Sequence, residues 1–294
     1  MNDFHEPSNY IHVMENPIET AASAMPARVP ALFVSHGSPM MALEPGVTGG
    51  LWAAHGKEVV AHHDLRGVVV LSPHWMTRGL SITGHPAPAT WHDFGGFPDP
   101  LYALQYPAPG SPALASAVQS ALSAHGMPAA IDPERPFDHG AWMPLRFLLP
   151  QAQVPVVQLS LPADAGPREV YAMGAALQGL RDEGVWLIGS GSMTHNLREF
   201  FAGRPAQSAP AAPYVEAFSG WMADVLTRGD LEAAFDYRHR APEAVRAHPT
   251  DEHLLPLYFA LGAAGWGAPG GAQPQYLSRE VMYSHLAMDS LAFS

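Results

Sequence analysis

Four short apolar runs, each stopped by glycine, serine or proline, constrain this chain more than any other feature. They are Val29-Pro30-Ala31-Leu32-Phe33-Val34, Gly67-Val68-Val69-Val70-Leu71, Val154-Pro155-Val156-Val157-Gln158-Leu159-Ser160-Leu161 and Val185-Trp186-Leu187-Ile188. Short β-branched runs bounded in this way are the pattern of buried strands. Between them the sequence predicts helices over about 111–125, 167–182 and 212–228. Strands alternating with helices predict an α/β fold: a single domain with a central, mostly parallel or mixed sheet and helices on both faces. That domain is expected over residues 29–294. Residues 1–28 are polar, without periodicity, and read as a flexible N-terminal extension. The Pro- and Gly-rich stretch 84–110 is too aromatic for a linker and reads as an ordered loop shaping a cleft.

Composition removes several kinds of chemistry. With no cysteine, the chain has no disulfide, thiolate metal site or cysteine nucleophile. Its single lysine, Lys57, leaves a Schiff-base mechanism with almost no candidates. A formal net charge of −12 disfavours nucleic acid and anionic membrane, both of which need a positive face. No apolar run reaches the roughly 18 residues of a membrane span. The start Met-Asn-Asp-Phe-His-Glu lacks the basic and apolar segments of a signal peptide, so a cytoplasmic protein is expected. The 16 histidines outnumber the 15 lysines and arginines together. A transition metal here would be bound by imidazole and carboxylate.

Three of the four runs lead directly into a histidine: His36, His74 and His195. Ligands of open α/β sheets bind at the carboxyl ends of the strands. A rigid strand also fixes an imidazole while the loop after it leaves room for substrate. Two further histidines qualify. His139 lies in Phe137-Asp138-His139-Gly140-Ala141-Trp142, read as a loop before a helix from Pro144 to Leu149. His253 follows Thr250-Asp251-Glu252, read as a helix start with Thr250 as N-cap. Other catalytic signatures are missing: there is no Gly-x-Ser-x-Gly elbow at Gly189-Ser190-Gly191-Ser192, no dinucleotide fingerprint and no Walker A loop. What remains is a histidine metal site with an open position.

Seven motifs then fall in order: Ser35-His36-Gly37-Ser38-Pro39, Ser72-Pro73-His74-Trp75, residues 92–98, residues 106–112, residues 137–142, Gly191-Ser192-Met193-Thr194-His195-Asn196-Leu197 and Pro249-Thr250-Asp251-Glu252-His253. Together they closely resemble the DOPA-dioxygenase-like branch of the class III (LigB-type) extradiol ring-cleavage dioxygenases, from about residue 29 to the C-terminus. The resemblance implies a non-haem Fe(II) enzyme that inserts both atoms of O₂ into a catechol, with Zn²⁺ able to fill the same site. It implies His36, His74 and His253 as metal ligands and His195 as the catalytic acid/base, which some descriptions of the family count as a fourth zinc ligand. It implies His139 as a second pocket histidine, hydrogen-bonding substrate or oxygen. Protocatechuate-type relatives use two histidines and a glutamate; here His253 stands at the third position with Glu252 beside it.

Several expectations follow. The substrate is a small catechol, DOPA-like or carboxylated, taken with O₂ by a monomer or homodimer. Trp91-His92-Asp93-Phe94 and Tyr102 to Tyr106 wall the pocket or cover a core edge. His92 and Asp93 are candidates to orient a ligand imidazole, and Arg78, Arg146 and Arg198 to clamp a carboxylate. Tyr283 and Ser284 are expected on a final edge strand near the site. Two rivals stay open: a zinc hydrolase using the same histidines, and a catalytically silent metal-binding protein.

Overall fold

The apolar runs become the middle of a single sheet. The computed structural model describes Met1 and residues 28–294, so the expected extension falls almost wholly outside the described residues. In chain order the strands are β1 (Ala31–Ser35), β2 (Gly67–Thr77), β3 (Leu80–Thr83), β4 (Ala129–Asp132), β5 (Val156–Pro162), β6 (Val185–Gly191), β7 (Pro274–Ser278), β8 (Val281–Met282), β9 (Leu286–Ala287) and β10 (Ser290–Phe293). Eight form one sheet in the order β4-β3-β5-β2-β6-β1-β10-β7, and β8 and β9 form a separate hairpin. Its centre, β5-β2-β6-β1, is parallel and comes from the four runs. On the flanks β3 runs antiparallel to β5, and β10 runs antiparallel to both β1 and β7. The sheet is therefore mixed.

Side chains alternate across each strand, which divides the core in two. Phe33, Val69, Leu71 and Leu187 face one layer, built by α2 (Pro112–Ala124), α4 (Pro167–Leu177), α6 (Pro213–Arg228) and α7 (Leu255–Ala264). Val34, Val68, Val70 and Trp186 face the other, built by α1 (Gly46–His62) and α3 (His139–Leu148). A short α5 (Leu197–Gly203) follows β6. The helices expected at 111–125 and 212–228 form as α2 and α6, and 167–182 forms as α4 followed by a 3₁₀ turn over Gln178–Glu183. The sequence reading missed α1. It carries Gly49, Gly50 and Gly56 in its interior, each unfavourable in a helix by about 1 kcal/mol relative to alanine. Burial of Trp52 and Val59 against α3 outweighs that local preference.

Close backbone approach explains the glycines that end β6. A Cβ on Gly189 would lie 1.9 Å from the Pro256 carbonyl oxygen, and one on Gly191 only 2.2 Å from that of His253. Bare backbone lets residues 253–256 lie directly on the strand, where the Ser192 N–H donates to the His253 carbonyl at 2.7 Å. Neither neighbour is a flexible side-chain tip, so the chain itself must shift to admit a methyl. Gly191→Ala is expected to destabilise the fold by about 1–3 kcal/mol, read as a lower urea midpoint.

One buried carboxyl sets a pH dependence. Asp289, between β9 and β10, is pushed up to about 7 by burial, against the opposing charge of Arg279 at 3.9 Å. A raised carboxyl pKa means the folded chain keeps a proton that the unfolded chain releases. This contribution to stability therefore falls as pH rises from about 4 to 7 and is flat above. Asp289→Asn, which does not titrate, should gain stability relative to the native chain across that window, by up to about 4 kcal/mol. Unfolding midpoints of both proteins at pH 5 and pH 8 measure it.

Candidate metal centre

The parallel strands deliver their histidines to one end of the sheet. His36 is the residue after β1, and His195 lies in the loop after β6. His74 sits within β2, where pairing with β5 breaks between Leu71 and Met76 and lifts Ser72-Pro73-His74-Trp75 out of the ladder. His139 is the first residue of α3, because Asp138 caps that helix by accepting from the Ala141 N–H. The expected helix from Pro144 thus begins five residues earlier. His253 is not in a helical turn capped by Thr250. Its carbonyl is taken by Ser192, and α7 begins only at Leu255. All five histidines line one cavity of about 490 Å³. The His74 ring lies 4.0 Å from His139 and 5.0 Å from His36, and His195 stacks on His253 at 3.5 Å, tilted by 6°.

Hydrogen bonds fix which ring nitrogen is bare. Pro144 has no N–H to give the Gly140 carbonyl one turn before it, and that carbonyl instead accepts from the Ser190 hydroxyl. With its only proton so used, Ser190 can only accept from His36 Nδ1, 3.1 Å away. His36 Nε2 is then left as a lone pair. Asp93 faces His74 Nδ1 at 3.4 Å with one oxygen, and with the other accepts from the His139 Nδ1 and backbone N–H at 3.0 and 2.8 Å. Glu252 accepts from His253 Nδ1 at 3.0 Å, and His253 Nε2 is buried with no partner. His36 Nε2 and His74 Nε2 face each other at 3.1 Å. Bare nitrogens held this close repel unless a cation lies between them, so the donor set fits a divalent metal.

Three overlapping groups bring three donors within 4.8 Å of one another: His36 with His74 and His253, His74 with Asp93 and His139, and His195 with Glu252 and His253. Burial and the neighbouring imidazoles hold His36 and His253 well below the usual histidine range. Burial, reinforced by His139, takes His74 down to about 3. Burial is also the main cause that takes His195 to about 4. Near neutral pH these rings are uncharged, as metal ligands and proton acceptors must be. Burial pushes Asp93 up, but the hydrogen bonds it accepts from His139, with the neighbouring His74 imidazole, outweigh this and leave its pKa below the usual carboxylate value. Asp93→Asn would replace one acceptor oxygen by a donor facing another N–H. It should weaken metal binding about 10- to 100-fold, measured by competition with a chromogenic chelator.

The walls differ in part from expectation. From the aromatic loop, Phe94 and Phe97 line the cavity. Tyr106 is buried in the core, donating to the Leu149 carbonyl, and Trp91 stacks on Arg135. His92 bonds the Leu104 carbonyl, so Asp93 alone of that pair reaches the histidines. Tyr283 and Ser284 form the turn between β8 and β9 rather than an edge strand, both in the left-handed region at φ 52° and 59°, and Tyr283 lines the cavity. None of the three candidate arginines lines it. Arg146 bonds the Gln105 carbonyl, Arg78 is exposed, and Arg198 lines a separate polar cavity behind His195. Sequence reasoning missed Ser190 and the Phe200-Phe201 pair on α5. The pair's signal was the Asn196 N-cap, which accepts from the Glu199 N–H and starts that helix.

Comparison with known proteins shows the family. Residues 30–293 match the family described as the catalytic LigB subunit of aromatic ring-opening dioxygenase. A 4,5-DOPA dioxygenase extradiol of Beta vulgaris is 40% identical over 234 residues, covering 79% of this chain and 86% of the relative. One of Escherichia coli K12 is 40% identical over 239 residues, covering 80% and 85%. The crystal structure of an uncharacterized protein from Escherichia coli K12 superposes with a TM-score of 0.72 at 32% identity, covering 91% of this chain and 100% of that one. The chain belongs to the LigB family and is an extradiol aromatic ring-opening dioxygenase.

Proposed function

We propose that this dioxygenase works with Fe(II) held by His36, His74 and His253, and opens a small catechol beside its two hydroxyls. The observation that carries the reading is the convergence of three imidazole nitrogens whose opposite nitrogens are already tied to Ser190, Asp93 and Glu252. Because Glu252 supports His253 in this way, His253 rather than Glu252 is the third ligand. Zn²⁺ suits the same neutral donors and would occupy the site without redox chemistry. Bound Fe(II) supplies what the protein cannot, a redox route for triplet O₂ to react with a closed-shell catechol.

The remaining tasks fall to side chains. Three neutral imidazoles add no charge of their own, so the site favours a catechol that has lost a proton. His195 is the acceptor for that proton and returns it later as the ring opens. Its ring makes no hydrogen bond to the protein among the described residues, and it lines the cavity in neutral form. His139, its Nδ1 tied to Asp93, keeps Nε2 for a substrate or dioxygen oxygen. Phe94, Phe97 and Phe200 shield the ring from water. The partners are thus a catechol and O₂, handled by a monomer or homodimer in the cytoplasm; no helix of the described residues is long and apolar enough to cross a membrane. Mass spectrometry tests the reading. The product formed by iron-loaded protein should weigh the catechol plus both oxygens of O₂, whereas a quinone would contradict it.

A further inference from the structure

Three segments that shape the histidine cavity meet on one side chain outside it. Arg135, in the loop between β4 and α3, donates from one guanidinium nitrogen to the His74 carbonyl at 3.1 Å and to Asp138 Oδ2 at 3.3 Å. Its guanidinium carbon lies over the indoles of Trp75 and Trp91, 5.0 and 4.6 Å from their ring centres. Trp75 follows His74, Trp91 stands two residues before Asp93, and Asp138 caps the helix that His139 begins. A single cation, its side chain only 16% exposed, therefore contacts a close neighbour of each member of the His74, Asp93 and His139 group.

Two of these segments are also joined without it. The Trp91 N–H donates to the Phe137 carbonyl at 2.8 Å, and Trp142 Nε1 donates to the Trp91 carbonyl at 2.9 Å, so the aromatic loop and α3 hold each other. The His74 segment is different, because it has left the β2–β5 ladder. Its links to α3 are Ser72, which donates to Asp138 Oδ1 at 2.9 Å and accepts from the His74 N–H at 3.2 Å, and Arg135. We infer that Arg135 is a positioning residue: by holding the His74 carbonyl against Asp138, it sets how the His74 ring meets Asp93 and His139. The inference rests on the reading of His74 as a metal ligand and deepens it. A cation that charges, bonds and stacks at once fixes a backbone more closely than packing alone.

The test uses Co(II) as the probe metal, with affinity read by competition with a chromogenic chelator. Arg135→Met keeps much of the packing volume but neither charge nor donors. It should melt as a folded protein, bind Co(II) about 10- to 100-fold more weakly and shift the visible band of the bound ion. Arg135→Lys keeps a cation with donors for both oxygens and should stay within about fivefold of the native affinity. Equal losses in the two variants would mean that only packing matters here and would overturn the inference, as would native affinity and spectrum in folded Arg135→Met. If Arg135→Met does not fold, Trp91→Leu decides: this half-exposed indole touches Arg135 but not the metal ligands, and its loss should weaken Co(II) about two- to fivefold. Native affinity in that variant would overturn the inference.

A second readout needs no metal. The His139 Nδ1 proton, bonded to Asp93 at 3.0 Å, should give a slowly exchanging downfield NMR signal in metal-free native protein, absent from His139→Gln. In Arg135→Met it should exchange at least about tenfold faster, and in Arg135→Lys near the native rate. If native protein takes up no Co(II), the metal reading falls by itself and this signal alone decides. Unchanged exchange in Arg135→Met would then overturn the positioning role.

Discussion

His253→Ala should leave the protein folded but with well under one tightly bound metal per chain, and should lower catechol turnover about a thousandfold or more. A bound cation supplies several kcal/mol of charge stabilisation to a reacting oxygen, and a loss of about 4 kcal/mol is a thousandfold in rate. The fold should survive because the segment is anchored by the His253 backbone, not its ring: the carbonyl accepts from Ser192, and Leu254 and Leu255 are buried in the core. Glu252→Gln is the instructive contrast. The amide can still accept from His253 Nδ1 but no longer holds that ring by charge, so metal affinity should fall only about 10- to 100-fold and activity should return at higher metal concentration. If Glu252→Gln abolished metal binding while His253→Ala retained it, the ligand would be the carboxylate. Metal content by atomic absorption after gel filtration, with turnover at saturating Fe(II), distinguishes the two.

His195→Gln should lower kcat about 10²- to 10⁴-fold, the usual contribution of a positioned acid–base group, with metal content unchanged. His195 is outside the three-histidine set, and its ring lies flat on His253. Glutamine keeps polarity and much of the volume at that face but can neither take up nor return a proton near neutral pH. The loss should therefore sit in kcat, with catechol affinity little altered, because binding rests on the other histidines and the phenylalanine walls. Full turnover by His195→Gln would remove His195 from the chemistry.

Much of this site is legible in the sequence alone. Strand ends are the most predictable positions in an α/β sheet, so His36, His74 and His195 could be located by pattern alone. The parallel centre followed from the same four runs. What was hidden depends on contacts between distant segments. The early start of α3 requires Asp138 as a cap with Pro144 tolerated inside the helix, and that proline frees the carbonyl that occupies Ser190. The position of His253 depends on two glycines some sixty residues earlier, which look like breakers in sequence and act as a smooth seat in space. Helix α1 reads as a loop because its glycines speak against a helix and its packing partner lies about ninety residues on. Asp93 was visible only as a candidate; that one carboxylate serves two histidines is a property of the fold. The arginine clamp failed for a related reason, since sequence proximity to a motif does not decide which cavity a side chain enters.

The most direct test of the central claim is oxygen consumption by protein reconstituted anaerobically with Fe(II), given a panel of catechols, with the Zn²⁺ form as control. Rapid uptake and a yellow ring-fission product are expected from the iron form alone, at one metal per chain. No uptake from any catechol, despite one bound iron per chain, would contradict it.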